Sequence, residues 1–186
     1  MLRATLTTLR SAALAAVAAL AVAPVAFAGE QFVDASGYAA SGYDVVAYRS
    51  LQQAPVGQPQ PEAVPGKAEF TADWNGAKWA FASAENRDAF LSNPEYYAPQ
   101  YDGHCAYGAS IGNGGKGGKV PGNPNLWRIV DDKLYLNINT AVVGFWEENV
   151  PGHIKTADGN WSNGLELADA STRTAPAFDA TQAPLK

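Results

Sequence analysis

Residues 70–92 have the sequence FTADWNGAKWAFASAENRDAFLS, and this stretch carries the strongest structural signals in the chain. Asn75-Gly76 is a preferred dipeptide for a two-residue hairpin turn, because both residues tolerate positive φ angles. We therefore predict a β-hairpin with strands over 70–74 and 78–82. Ser83 is a favourable helix N-cap, since its hydroxyl can accept from the free amides of a first turn. A helix is predicted to follow over residues 84–92.

A second stretch, WRIVDDKLYLNINTAVVGFWEEN at residues 127–149, repeats this pattern. Strands are predicted over 127–130 and 133–138, with Asp131-Asp132 as the turn, and Asn139 or Thr140 can cap a helix over 141–149. Similarity at a nearly fixed offset is typical of duplicated supersecondary units. The aligned pairs are Trp79 with Leu134 and Phe81 with Leu136 at an offset of 55, Phe90 with Trp146 at 56, and Pro94 with Pro151 at 57.

Each of these units is too small to bury its aromatic residues alone, so we expect them to share one core. The predicted fold is α+β, with two β-hairpin-plus-helix units packed into one compact domain with long loops. Residues 52–66 contain four prolines and four glutamines and are predicted to form a surface loop. The glycine-rich segment 112–119 lacks the Ser or Thr of a phosphate loop, and we expect it to form a flap beside a site.

The N-terminus has the pattern of a signal peptide over residues 1–28. Arg3 and Arg10 are followed by an apolar run over 11–25 and by Ala26-Phe27-Ala28, a small-x-small cleavage pattern. We therefore expect a periplasmic or secreted protein without membrane insertion after cleavage. Residues 29–40 are predicted to be a lead-in. Residues 166–186, rich in Ala, Thr, Asp and Pro, are predicted to be disordered.

The charge balance argues against a nucleic-acid partner. The chain has 13 basic and 18 acidic residues, and removal of the predicted signal takes away two of the basic ones. Contacts to phosphate need clustered Lys and Arg, which an acidic chain of this kind does not offer.

Cys105, the only cysteine, follows His104, one of only two histidines. Thiolate suits Cu(I) and zinc, and imidazole suits copper, zinc and nickel. We therefore predict a metal site with Cys105 and His104 as ligands, and copper is the favoured ion. Adjacent side chains can share an ion only in a turn, which Gly103 permits. Further ligands would come from Asp102, His153 or Asp44.

Two other functions are consistent with the same residues. The tyrosines, together with Asp44, could line a pocket for a small ligand or a protein partner, since phenols present an apolar wall with a polar tip. Alternatively, Cys105 could be a nucleophile with His104 or His153 as its base. No third catalytic residue stands out, so we expect a non-enzymatic protein. The predicted ligand-binding residues are Tyr43, Asp44, Tyr48, Tyr101 and Tyr107.

Several motifs together resemble the secreted bacterial branch of the YHS-domain family. They are Gly42-Tyr43-Asp44 with Val46-Ala47-Tyr48, the stretch WNGAKWAFASAENRDAF, the segment 93–101, Cys105-Ala106-Tyr107-Gly108, and the second hairpin from Trp127 to Asn137. The resemblance predicts a YHS-like domain over residues 41–165.

The resemblance implies a small α+β module. Some YHS domains are attached to metal-handling proteins, where paired cysteines are suspected ligands. The corresponding positions here lie at 43–46 and 81–86, and neither contains a cysteine. The Cys105 segment is therefore the remaining candidate metal site in this branch.

Overall fold

The computed structural model describes residues 31–168, which form an α+β fold with two antiparallel hairpins, as predicted. The predicted signal peptide lies outside the described residues, as does the predicted tail beyond residue 168. Short 3-10 turns precede or follow several elements. The strands and α-helices are β1 (Lys67–Trp74), β2 (Ala77–Phe81), α1 (Ala84–Ser92), α2 (Pro94–Tyr97), α3 (Ala106–Ile111), β3 (Asn123–Val130), β4 (Lys133–Asn137), α4 (Thr140–Glu147) and α5 (Val150–Ser162).

The first hairpin and its helix agree closely with the prediction. β1 pairs with β2 across Asn75-Gly76, whose φ angles of 51° and 71° suit a type I′ turn. β1 starts at Lys67, before the predicted start at residue 70. Its pairing with β2 is irregular between Lys67 and Thr71. The hydroxyl of Ser83 accepts from the amide of Asn86 at 3.2 Å, which caps α1 at the predicted residue.

The second hairpin and helix follow the same plan. Asn139 is the N-cap of α4, and its side-chain oxygen accepts from the amide of Val142 at 2.9 Å. α4 ends at Glu147, short of the predicted end. The sequence pattern did not predict α5, because a proline shortly after a predicted helix is typical of the end of that helix. Pro151 instead lies in the first turn of α5, where its missing N–H costs nothing.

From their hairpins onward, the two units correspond at a constant offset of 56 residues. Lys67 pairs with Phe81 and Asn123 pairs with Asn137, and both hairpins have their irregularity at the same place. The predicted offsets of 55 in the strands and 57 at Pro151 were therefore wrong. Similarity of hydrophobic side chains suggested these offsets, whereas the turns set the strand register of the two hairpins. The corresponding pairs are Trp79 with Tyr135, Phe81 with Asn137, Phe90 with Trp146, and Pro94 with Val150.

The duplication also includes the segments that precede the hairpins. The 3-10 turns Ala40–Gly42 and Tyr101–Gly103 both have three consecutive positive φ angles. The amide of Asp44 then donates to the carbonyl of Val64, and the amide of Cys105 donates to that of Val120, both at 2.8 Å. His104–Cys105 is therefore part of the second unit rather than a connection between units. We call residues 38–97 the first unit and residues 99–162 the second unit.

A glycine permits the close backbone approach that each unit repeats. The amide of Gly66 donates to the carbonyl of Gly42 at 2.9 Å, and the amide of Gly122 donates to that of Gly103 at 3.2 Å. A Cβ atom on Gly66 would lie 2.6 Å from the carbonyl carbon of Ala80, which real contacts do not allow. This close backbone approach, which we call the crossing, holds the opening segment of each unit against its hairpin.

The two units share one main core. Trp79, Phe81 and Phe90 of the first unit are fully buried and pack in one cluster with Trp127 and Leu134 of the second unit. The described part of the chain is therefore one domain. Over residues 31–168, we find no helix with the length and apolar character needed to cross a membrane.

Candidate functional site

His104 and Cys105 have side chains that lie against different residues. The imidazole Nδ1 of His104 bonds to the carbonyl of Tyr101 at 2.9 Å, and the ring packs between Phe32 and Trp161. The thiol of Cys105 donates to the Oδ1 atom of Asn137 and accepts from the amide of Gly108, both at 3.4 Å. The turn at Gly103 does not bring the two side chains to one point.

The surroundings of His104 favour a neutral imidazole. The residue is 5% exposed, and its burial lowers the pKa of the ring to about 4. The bond to the Tyr101 carbonyl opposes this shift, while the Lys119 cation adds to it. A cation beside the ring would repel a metal ion in the same way.

Cys105 is sealed inside the protein. Its side chain is 0% exposed and packs with Val120 and Ile138. Burial raises the pKa of the thiol to about 11, although nearby backbone N–H groups lower it in part. The thiolate, which is the nucleophile and the metal ligand, is therefore scarce at neutral pH.

The predicted metal site is not assembled in the described part of the chain. Among residues 31–168, no group of three or more His, Cys, Asp and Glu side chains could hold a metal ion. Asp44, a suggested third ligand, occupies in the first unit the position that Cys105 has in the second. Its carboxylate accepts from the amides of Val46, Ala47 and Ala82 and from the side-chain nitrogen of Asn86.

His153, the other suggested metal ligand and base, forms a structural contact. Its Nδ1 atom lies 3.1 Å from the hydroxyl of Ser110, which itself donates to the carbonyl of Tyr107 at 2.8 Å. The Ser110 proton is thus already engaged with a backbone carbonyl. This pair lacks the arrangement in which a base withdraws a proton from a nucleophile.

The tyrosines predicted to bind a ligand do not converge on one pocket. Tyr48 is buried in the main core, where its hydroxyl donates to the carbonyl of Pro124 at 2.7 Å and burial raises its pKa well above the usual value. Tyr101 donates to the carboxylate of Asp158 at 2.9 Å, and burial raises its pKa too. Tyr43 makes a bridge to Pro65, and Tyr107 packs on Phe145 and His153.

The structure instead contains a cavity, bordered by residues of both units, that the sequence did not predict. Its volume is about 260 Å³, and it lies between α4, the hairpin β3–β4 and the loop 57–60. We call it the indole cavity, because Trp127 and Trp146 form part of its wall. Its other principal lining residues are Asn125, Arg128, Asn137, Val143, Gly144 and Glu147.

Arg128 and Glu147 form a buried ion pair in the wall of the indole cavity. Their side chains are 7% and 8% exposed, and Nε of Arg128 donates to Oε1 of Glu147 at 2.9 Å. A second guanidinium nitrogen, Nη2, contacts the same oxygen. The other carboxylate oxygen accepts from the amide of Gly57 at 2.8 Å, which fixes the loop 57–60 over the cavity.

Sequence reasoning could have noticed this pair. Arg128 is the only charged residue in β3, and Glu147 is the only charged residue in α4. A lone charge in an otherwise apolar element that packs on a core is rarely buried unless it is paired. Two such charges of opposite sign in a strand and in the helix of the same hairpin-plus-helix unit are a usable signal.

Comparisons with protein-family models, with curated proteins and with solved structures find no match to this chain. The resemblance to the YHS-domain family therefore stays a prediction.

Proposed function

We propose that the protein is a non-enzymatic binding module that holds a small molecule in the indole cavity. The observation that carries this proposal is a comparison inside the chain itself. The same backbone arrangement occurs twice, but the second unit has polar residues in the cavity wall at positions where the first unit has apolar ones. Arg128, Asn137, Trp146 and Glu147 correspond to Ala72, Phe81, Phe90 and Leu91 of the first unit.

The first unit indicates that this scaffold closes well with apolar side chains. Phe81 and Phe90 are fully buried, and their ring centroids lie 5.0 Å apart. The scaffold therefore accepts apolar rings at the positions of Asn137 and Trp146, whereas Leu91, which corresponds to Glu147, is 52% exposed. A buried ion pair adds little stability compared with well-packed apolar residues, so a functional reason for keeping it is the better explanation.

The size of the indole cavity suits a compact ligand. A volume of about 260 Å³ lies just under the range of roughly 300–1,000 Å³ typical of small-molecule sites. An apolar cavity of about 150 Å³ accommodates benzene, so a ligand of one ring with substituents fits. Apolar lining residues such as Val143 beside a few polar groups match the usual composition of such sites.

This proposal can be tested with benzene and cyclohexanone as probes, followed by ¹H–¹⁵N spectra of the tryptophan indole groups. Gly144 lines the cavity on α4, and Gly159 lies on α5. A Cβ at either position would meet no atom within 4 Å. Gly144→Phe should obstruct the cavity, and Gly159→Phe is the matched control with the same change on another helix.

We expect saturable shifts of the Trp127 and Trp146 signals in the natural protein and in Gly159→Phe, and their loss in Gly144→Phe. Absence of saturable shifts with both probes would overturn the proposal, as would shifts that survive Gly144→Phe. A parallel titration with Cu(I) and Zn(II) tests the metal alternative. Tight stoichiometric metal binding that Cys105→Ser abolishes would favour the metal function instead.

A further inference from the structure

We infer that residues 54–60 form a lid on the indole cavity, that the lid opens as one piece to admit the ligand, and that the Arg128–Glu147 ion pair holds it closed. The role of the lid rests on the proposed function, because the molecule that passes it is the ligand of the indole cavity. The movement itself is a property of the chain and can be measured without a ligand.

The lid is the wall of the indole cavity that is free to move. The other walls are α4 and the hairpin β3–β4, in which Trp127 and Trp146 are 2% and 1% exposed and pack in hydrophobic clusters. Residues 55–59 of the lid are all exposed, and Val56 is 60% exposed. Exposed loops open locally at a much lower free energy than core strands and helices.

Hydrogen bonds inside the lid hold it in one shape. Oε1 of Gln60 accepts from the amide of Ala54 at 2.9 Å, and Nε2 of Gln60 donates to the carbonyl of Ala54 at 3.2 Å. The amide of Gln58 donates to the carbonyl of Pro55 at 3.1 Å, and the rings of Pro55 and Pro59 fix two φ angles. A compact loop whose ends are joined by its own side chain has the character of an Ω-loop. We therefore expect the lid to move as a unit.

The residues on either side of the lid are fastened to the second unit. On one side, Oε1 of Gln53 accepts from the amide of Ile129 at 2.6 Å, and Nε2 of Gln53 donates to the carbonyl of Ile129 at 3.2 Å. On the other side, the indole Nε1 of Trp127 donates to the carbonyl of Pro61 at 2.8 Å. The lid is therefore hinged at its two ends.

The ion pair closes the lid between these hinges. The amide of Gly57 donates to Oε2 of Glu147 at 2.8 Å, and Arg128 donates to the carbonyls of Ala54 and Pro55 at 3.2 and 3.3 Å. Within residues 31–168, these three are the hydrogen bonds that link the lid to the rest of the protein. Because they converge on two side chains, the lid can be released without disturbing a strand or a helix.

The test removes the ion pair and measures both the position of the lid and the rates of ligand exchange. Arg128→Met/Glu147→Leu removes all three bonds between the lid and the second unit. Arg87→Met/Asp88→Leu is the matched control with the same changes on α1. Arg87 and Asp88 form an ion pair at 2.8 Å, and their side chains are 33% and 66% exposed.

The position of the lid is measured without ligand by electron spin resonance. Spin labels are attached through Val56→Cys in the lid and Ala141→Cys on α4, both exposed positions. Cys105 is 0% exposed, so labelling goes to the two introduced cysteines. We expect one main distance in the natural protein and in the control, because an open state a few kcal/mol higher is populated to only about 0.1–10%. The double variant should have a second, longer distance.

Ligand exchange is measured with benzene and cyclohexanone, from the line shapes of the Trp127 and Trp146 indole signals. We expect the association and dissociation rates both to rise at least fivefold in the double variant, because the ligand passes only while the lid is open. Both rates should stay within twofold in the control. A rise confined to the dissociation rate would indicate weaker contacts in the cavity and would overturn the inference.

The two measurements separate failure of the lid from failure of the proposed function. Unchanged label distances and unchanged association rates, with both probes binding, would overturn the lid and leave the proposed function standing. If neither probe binds in the cavity but the label distances lengthen in the double variant, the proposed function fails and the hinged movement is supported.

Hydrogen exchange in the natural protein decides the question if the double variant does not fold. Opening as one piece breaks the bond of the Gly57 amide and keeps the internal bonds of the Ala54 and Gln58 amides. We expect the protection factor of the Gly57 amide to be at least threefold lower than those of the other two. Equal protection of the three amides would mean that the loop opens by losing its shape, which would overturn the inference.

Discussion

Burial of His104 predicts a specific loss of stability in mild acid. The pKa of the folded ring is about 4, against an ordinary value of 6.5. Above pH 6.5 the ring is neutral in both states and adds no pH dependence. As the pH falls below 6.5, His104 binds a proton in the unfolded chain but stays neutral in the folded chain. The free energy of unfolding therefore decreases until about pH 4.

The size of the effect follows from the shift. A difference of about 2.5 pKa units corresponds to a full loss of about 3 kcal/mol, of which about 2.5 kcal/mol is reached by pH 4.5. His104→Phe keeps a ring between Phe32 and Trp161. It leaves the Tyr101 carbonyl its bond from the backbone amide of residue 104 at 2.9 Å, so no acceptor is abandoned.

Urea unfolding followed by tryptophan fluorescence, at pH 7.5 and pH 4.5, measures this contribution. Carboxylates titrate in both proteins, so the difference between the natural protein and His104→Phe isolates the imidazole. We expect this difference to change by about 2.5 kcal/mol between the two pH values, in favour of the variant at pH 4.5. Parallel pH dependences in the two proteins would refute the assignment of a buried neutral ring.

Three further outcomes are expected. Cys105 should react with a thiol reagent at least a hundredfold more slowly in the folded protein than in urea, because the sulfur is buried and its pKa is raised to about 11; rapid labelling without urea would contradict this. Arg128→Met should reduce the free energy of unfolding by roughly 3–5 kcal/mol, and adding Glu147→Leu should recover most of it in the same unfolding assay, because a lone buried charge costs more than an apolar pair. Gly66→Ala should strongly lower the free energy of unfolding, because a Cβ atom at this position has no room. Gly159→Ala lies in open space on a helix and should raise the melting temperature by the equivalent of about 0.5–1 kcal/mol. Calorimetry that ranks the two variants the other way would contradict the described crossing.

Local signals predicted the elements of the fold well. The turn dipeptide at Asn75-Gly76, the cap at Ser83 and the cap at Asn139 each act over a few residues, and the structure has all three. α5 was missed because the same proline can end one helix or begin the next. Which role it takes depends on packing that a short window of sequence does not contain.

The candidate site was much harder to predict than the fold. Adjacency of His104 and Cys105 suggested shared chemistry, but the backbone sends the two side chains into different environments. The indole cavity instead depends on Trp127, Arg128 and Glu147, which meet only after the second hairpin and α4 have packed. The charge pattern could have indicated the ion pair, which was not predicted, while the space beside it follows from three-dimensional packing alone.

The equivalent positions of Asp44 and Cys105 have a consequence for motion within the domain. The carboxylate fastens its turn with four charge-assisted bonds, whereas the thiol provides two long contacts at 3.4 Å. Backbone amides of α3 should therefore exchange with deuterated solvent sooner than those after Asp44. The second unit would then open locally more often than the first unit, although the two have the same backbone arrangement.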